Sequence, residues 1–173
     1  DVRSRGLLVG DFVETNEDGD AFARSIDGAA YAGFHLIAGT IGGTFVHVSN
    51  ADGGVRAWAA GIHGISNGRP GVLWPKVERA TAHVQEIIAS HDYVASLASD
   101  LLRFLGTPGD AARDRGATLR DEIEGEVFVM SDRYGTRSST VVVATPDDIL
   151  FFEQNYGPNG AKLGGVSEFV IPR

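Results

Sequence analysis

Apolar residues first recur at helical spacing. Leu7, Leu8, Val9, Phe12 and Val13 predict one helix, and Ala21, Phe22, Ile26 and Ala29 or Ala30 give a second helix its apolar face. The cluster Thr15-Asn16-Glu17-Asp18-Gly19 reads as the turn between them, with Asp20 placed to cap the second helix. The pattern then becomes strand-like. Residues 34–38 and 44–49 flank a Gly-rich hairpin turn at 39–43, and residues 55–59 follow a second turn at 50–54. Residues 62–66 continue the sheet in this reading, and the apolar run ends abruptly at Ser66-Asn67-Gly68, before the loop Arg69-Pro70-Gly71. Neither Gly-rich turn has the spacing of a phosphate-binding loop.

Helical spacing returns over residues 76–90, where Val77, Ala80, Thr81, Val84, Ile87 and Ile88 share a face and Pro75 suits the first turn. Residues 92–105 carry Val94, Leu97, Leu101, Leu102 and Leu105, and Gly106 and Pro108 end that helix. Residues 107–125 are charged and Gly-rich, which reads as a solvated connection. Strands are expected at 127–130, 136–144, 149–154 and 166–171, with turns at Asp132-Arg133-Tyr134-Gly135 and Thr145-Pro146-Asp147-Asp148 and a polar loop at 155–165. Helices grouped between strand meanders predict an α+β fold of antiparallel sheets with helices packed outside.

Composition narrows the function classes. The 173 residues include 43% hydrophobic and 22% charged positions, as in a soluble globular domain. A formal net charge of −8 with no basic block argues against nucleic-acid binding. No cysteine is present, so this chain holds neither a disulfide nor a thiolate. No apolar run approaches a membrane span and no signal-peptide pattern opens the chain, so a cytoplasmic protein is expected.

The candidate chemistry gathers around the strand end. The Asn67 amide can donate to a developing oxyanion, or can simply bond its own turn before Gly68. Ser66 and His63 lie beside it. Trp74, between loop and helix, can floor a pocket or anchor the helix on the sheet. Arg137, near the start of a strand expected to be buried, suits a carboxylate or phosphate, or an ion pair with a structural acid. Tyr134 shapes the turn before it and joins the ligand-binding set. Ser138, Ser139 and Thr140 alternate as sheet positions. The five histidines, His35, His47, His63, His83 and His91, show no metal-ligand spacing with a supporting carboxylate, so no metal is expected. His63 is the one histidine placed to serve as an axial haem ligand.

Four segments resemble the NRDE-domain proteins, the transport and Golgi organisation family. Gly61-Ile62-His63-Gly64-Ile65-Ser66-Asn67-Gly68 with Leu73-Trp74-Pro75-Lys76-Val77 resembles the family's Gly-Leu-Ser-Asn … Thr-Pro-Trp-Pro-Lys-Val pattern. Arg3-Ser4-Arg5-Gly6 resembles its Ser-Arg-Gly helix, and Tyr31-Ala32-Gly33-Phe34-His35-Leu36 its Tyr-Asn-Gly-Phe-Asn-Leu strand start. Tyr134-Gly135-Thr136-Arg137-Ser138-Ser139-Thr140 resembles its most specific segment. All four occur in family order. Two departures stand out: His35 replaces the usual Asn, and Gly71-Val72-Leu73 replaces Asp-Thr-Pro, removing an acidic residue.

The resemblance implies the four-layer αββα fold of N-terminal nucleophile (Ntn) hydrolases, with residues 1–173 as the C-terminal part of one NRDE-like domain. It implies that an N-terminal segment with Met-Cys and Asn-Arg-Asp-Glu precedes Asp1. Without those strands the sheets keep open edges, so association with a companion N-terminal chain or with further copies is expected. In function it implies a carrier or trafficking factor for a small molecule, haem or an acyl-type ligand, with no cofactor required. The alternative is an Ntn amidohydrolase acting on a C–N amide bond. Its nucleophilic Cys would lie outside this chain, Asn67 and Arg137 being its catalytic residues here. His63, Ser66, Asn67, Trp74, Tyr134 and Arg137 form the implied ligand set.

Overall fold

The computed structural model describes residues 2–51, 54–68, 74–109, 118–131 and 134–173. The predicted loop at Arg69-Pro70-Gly71, the family departure at Gly71-Val72-Leu73, Asp1, and the turn residues Asp52, Gly53, Asp132 and Arg133 lie outside these residues, as do 110–117 of the charged connection. The chain forms two compact units, Asp1–Leu73 and Trp74–Arg173.

In the first unit, α1 (Gly6–Glu14) and α2 (Gly19–Ser25) precede the strands β1 (His35–Gly39), β2 (Phe45–Ser49) and β3 (Gly54–Trp58). The strands pair in chain order as an antiparallel sheet. Gly43 N–H closes the β1–β2 turn on the Thr40 carbonyl at 2.9 Å, and Gly42 sits at φ 85°, where a side chain would be strained. The α2 cap is Asp18, whose side chain accepts from Ala21 N–H; Asp20 instead pairs with Arg24 one turn on. The sequence reading was two residues late because both aspartates fit a cap, and only the backbone at Asp18 is extended. Residues 62–66 leave the ladder and do not extend the sheet.

The core of this unit joins Leu8, Ala23, Tyr31, Phe34, Ala38, Val46 and Val48. The helix-facing side of the sheet is set by the period-2 alternation in β2, where Val46 and Val48 are buried and Phe45 is exposed. α2 enters so close to β1 that a Cβ on Gly19 would lie 2.7 Å from the Ala38 carbonyl oxygen. Alanine is the better helix former by about 1 kcal/mol, but the atom it meets is backbone and cannot step aside. Gly19→Ala is therefore expected to destabilise this unit by about 1–3 kcal/mol in urea unfolding; unchanged or raised stability would refute the close approach.

The second unit contains α3 (Pro75–Ala89), α4 (Val94–Leu105), α5 (Leu119–Gly125), β4 (Ser138–Ala144), β5 (Asp148–Tyr156) and β6 (Lys162–Pro172). Its three strands form an antiparallel sheet with β5 central. Residues 127–130 form only isolated bridges, Phe128 with Pro108 and Met130 with Gly135, where the sequence suggested a strand. α4 covers one face through Ala98 and Leu102 against Val141, with Phe152 alongside. On the other face, Val142, Phe169 and Ile171 are exposed.

The charged connection hides a helix. α5 opens with a reciprocal capping box: Thr118 Oγ1 accepts from Asp121 N–H, and the Asp121 carboxylate accepts from Thr118 N–H at 2.8 Å. The Thr118 hydroxyl also donates to the Asp121 carboxylate at 2.7 Å, and this bond first, with the one from Thr118 N–H second, holds the Asp121 carboxyl below its usual range. Lys76 Nζ donates to the Ile123 carbonyl at 2.6 Å and Arg79 donates to the Gly125 carbonyl, so cations from α3 satisfy the α5 C-terminus. Seven residues of mostly polar character show no apolar period, which is why the sequence pattern missed this helix.

Candidate functional site

In the first unit, a cavity of about 710 Å³ opens where α1, the start of β1 and residues 65–68 meet. α1 contributes Leu8 and Val9, and its N-cap residue Arg5 joins them; the strand start contributes Gly33, Phe34, His35 and Leu36; Ile65, Ser66, Asn67 and Gly68 complete the wall with Ala51. The lining is chiefly apolar with a few polar groups, the usual makeup of a small-molecule site. Arg5 Nη1 donates to the Gly33 carbonyl at 3.1 Å, which holds the guanidinium at the cavity wall.

The strand start keeps its shape through Asn50. The Asn50 Oδ1 accepts from Phe34 N–H at 3.0 Å, while its Nδ2 donates to the carbonyls of Gly28, Tyr31 and Ala32. One side chain thus ties the end of β2 to the loop leading into β1. In the sequence it reads only as a turn residue, since Asn before a Gly-rich turn is common.

Ser66 and Asn67, both candidates from the sequence, line this cavity, with Asn67 exposed. Their segment is not a strand end, however. Ser66 Oγ accepts from Gly68 N–H at 3.4 Å, a local turn bond. His63 lies on a separate feature. Its ring stacks on Trp58 with centroids 4.6 Å apart, and its Nε2 donates to the Ala59 carbonyl at 2.8 Å. Trp58 in turn tilts against His47, and His47 meets His35, so four rings run in file along the sheet face away from α2.

Tyr134 and Arg137 occupy a different cleft, within the second unit. Its volume is about 320 Å³ and its walls include Met130, Ser131, Thr136, Tyr156, Asn159, Gly160 and Leu163. Arg137 is exposed and precedes β4, an edge strand, so the buried strand start expected from sequence is corrected. Its backbone carbonyl accepts from Tyr156 N–H at 2.8 Å, and among the described residues it has no carboxylate partner. The Tyr134 turn is closed by Ser131, whose Oγ donates to the Tyr134 carbonyl and accepts its N–H. Thr140 and Val142 face away from the buried Ser139 and Val141, as strand alternation predicted for the Ser138-Ser139-Thr140 run.

Trp74 lines neither cleft. It is the N-cap of α3, and Lys76 Nζ lies 5.0 Å from its ring centroid, a cation–π contact. Burial lowers the Lys76 ammonium pKa below its ordinary value. Sequence reasoning missed Arg5, Asn50 and the His35–His47 contact. Arg5 had a signal, because it lies within the family-like Ser-Arg-Gly segment; the other two depended on hairpin pairing.

Among the described residues no helix is long and apolar enough to cross a membrane. Two antiparallel sheets, each backed by helices and each in a unit with its own cleft, define an α+β protein with room for a small ligand. The profile of the family described as Transport and Golgi organisation 2 matches residues 1–158, and the chain belongs to that family. No curated protein and no solved structure matches it.

Proposed function

We propose that this chain is a carrier or trafficking factor for a small, largely apolar ligand with an anionic group, of haem or acyl type, and that its fold is of the Ntn-hydrolase-like αββα type. The cavity bounded by Leu8, Phe34, Leu36 and Ile65, with Arg5 at its wall, carries this reading. Apolar walls take a hydrocarbon or macrocycle, and a guanidinium offers a planar fork to a carboxylate or phosphate. For the fold, the support is that α2 and α4 each back one face of a three-stranded sheet, while Ile37, Phe45, Val142 and Phe169 on the opposite faces are exposed. His63 does not line this cavity; it stacks on Trp58 with its Nε2 bonded to Ala59, so iron ligation by His63 would need a separate seat for the haem.

Titration with haem, followed by its Soret band, and with an acyl-CoA, followed calorimetrically, tests the reading. Saturable binding of one of them is expected, weakened about fivefold or more by Arg5→Ala through loss of a charge-assisted contact. Absence of saturable binding by both would sink it.

The place of Asn67 in the same cavity favours a second reading, an amide hydrolase whose nucleophile lies outside this chain. There the Asn67 amide would donate to the oxyanion. Asn67→Ala would then lower kcat by about 10²–10³-fold with little change in KM, whereas a carrier shows no amide turnover to lose.

A further inference from the structure

We propose that His35 and His47 form a two-imidazole seat for a divalent transition-metal ion, with Cu2+ held most tightly. The hairpin register sets Ile37 opposite His47 and Ser49 opposite His35, which places the two histidines diagonally on one face of adjacent strands. His35 Nδ1 and His47 Nε2 lie 3.1 Å apart. Their ring planes differ by only 17° and their centroids are 5.3 Å apart, so the rings meet end to end and share one proton.

A metal can take that proton's place. Two imidazole nitrogens, each about 2.0–2.1 Å from one ion, are about 2.9–3.4 Å apart for ligand angles from square-planar to tetrahedral. The observed separation falls inside that interval, but each nitrogen now aims at the other, so both rings must turn for their lone pairs to converge on one ion. Both side chains are half-buried, and His35 also lines the cavity of the first unit, which gives the ion a route in.

No cluster of three or more His, Cys, Asp or Glu exists among the described residues, so among these residues the two imidazoles are the seat's protein ligands, with other positions for water or an added ligand. Such a site follows the Irving–Williams order, Cu2+ above Ni2+ and Zn2+. The seat is thus a weak, exchangeable one and not a structural metal site. The inference is independent of the carrier reading, and either can fail alone.

Trp58 makes the test direct. Its ring centroid lies 5.8 Å from that of His47, close enough for bound Cu2+ to quench its fluorescence. Titration of the full chain with Cu2+ at pH 7.5 in a non-chelating buffer is expected to give saturable one-to-one quenching, weaker at pH 5, where protons compete for the nitrogens. His35→Asn and His47→Gln should each weaken binding more than tenfold, since losing even an outer-shell partner of a metal ligand commonly costs about 10–100-fold. Electron paramagnetic resonance of the Cu2+ complex should show coupling to two imidazole nitrogens, a readout on the unmodified protein. Non-saturable quenching, binding that survives both His35→Asn and His47→Gln, or a spectrum without imidazole nitrogen coupling would overturn the proposal.

Discussion

Phe128→Ala is expected to destabilise the second unit by about 3–5 kcal/mol, the largest effect of any single substitution considered. Phe128 is 1% exposed, the largest fully buried side chain among the described residues. Its ring meets Tyr156 edge-to-face with centroids 4.7 Å apart. Gly160 lies at φ 68°, and a Cβ there would be 2.9 Å from the Phe128 ring, so the backbone packs onto the aromatic with no spare room. Truncation leaves a cavity that neighbours on an irregular segment cannot fill without breaking the bridge of Phe128 to Pro108. Tyr156 and Gly160 also wall the cleft of Arg137, so that cleft should loosen together with the core. Urea unfolding checks the magnitude. A cost below about 1 kcal/mol would mean that the site collapses freely and is not the anchor its burial indicates.

Asn50→Ala follows, with an expected cost of about 2–4 kcal/mol. The net worth of one hydrogen bond is about 0.5–1.5 kcal/mol; Asn50 accepts one, and its two amide protons are shared among three carbonyls. Partial exposure lets water recover some of them, which keeps the sum below a fully buried network. Asn50→Asp separates hydrogen bonding from packing. It preserves size and the acceptor for Phe34 N–H but sets a carboxylate against the carbonyls of Gly28, Tyr31 and Ala32. It should therefore be no better than alanine. Hydrogen exchange at Phe34 N–H should accelerate in both variants, and ligand binding in the cavity should weaken, because Gly33, Phe34 and His35 form its wall. An Asn50→Asp protein as stable as the parent would show that packing alone holds this corner.

Both residues were poorly legible in the sequence, for different reasons. Phe128 belonged to a short apolar run that reads as a strand, and apolar runs of that length signal burial without signalling pairing. Asn50 read as a turn former because its three carbonyl partners lie 18 to 22 residues earlier in the chain. The same limit applies to the site. Ser66 and Asn67 were picked out by the family pattern and do line a cavity, but Tyr134 and Arg137, from the same pattern, line another. A motif orders residues along the chain and carries no distances.

What the sequence determined by itself is periodic and local. The apolar faces of α3 and α4, the β1–β2 hairpin with its glycines, the Thr145–Asp148 turn and the family all follow from patterns within a few residues or from quoted motifs. Tertiary structure decided the rest. It chose Asp18 over Asp20 as the cap, released residues 62–66 from the sheet, and folded α5 around a capping box that no apolar period announces. It also set His35 against His47 across twelve residues of hairpin. These outcomes turn on backbone direction and cross-strand register, which arise only when distant segments bury their apolar faces together.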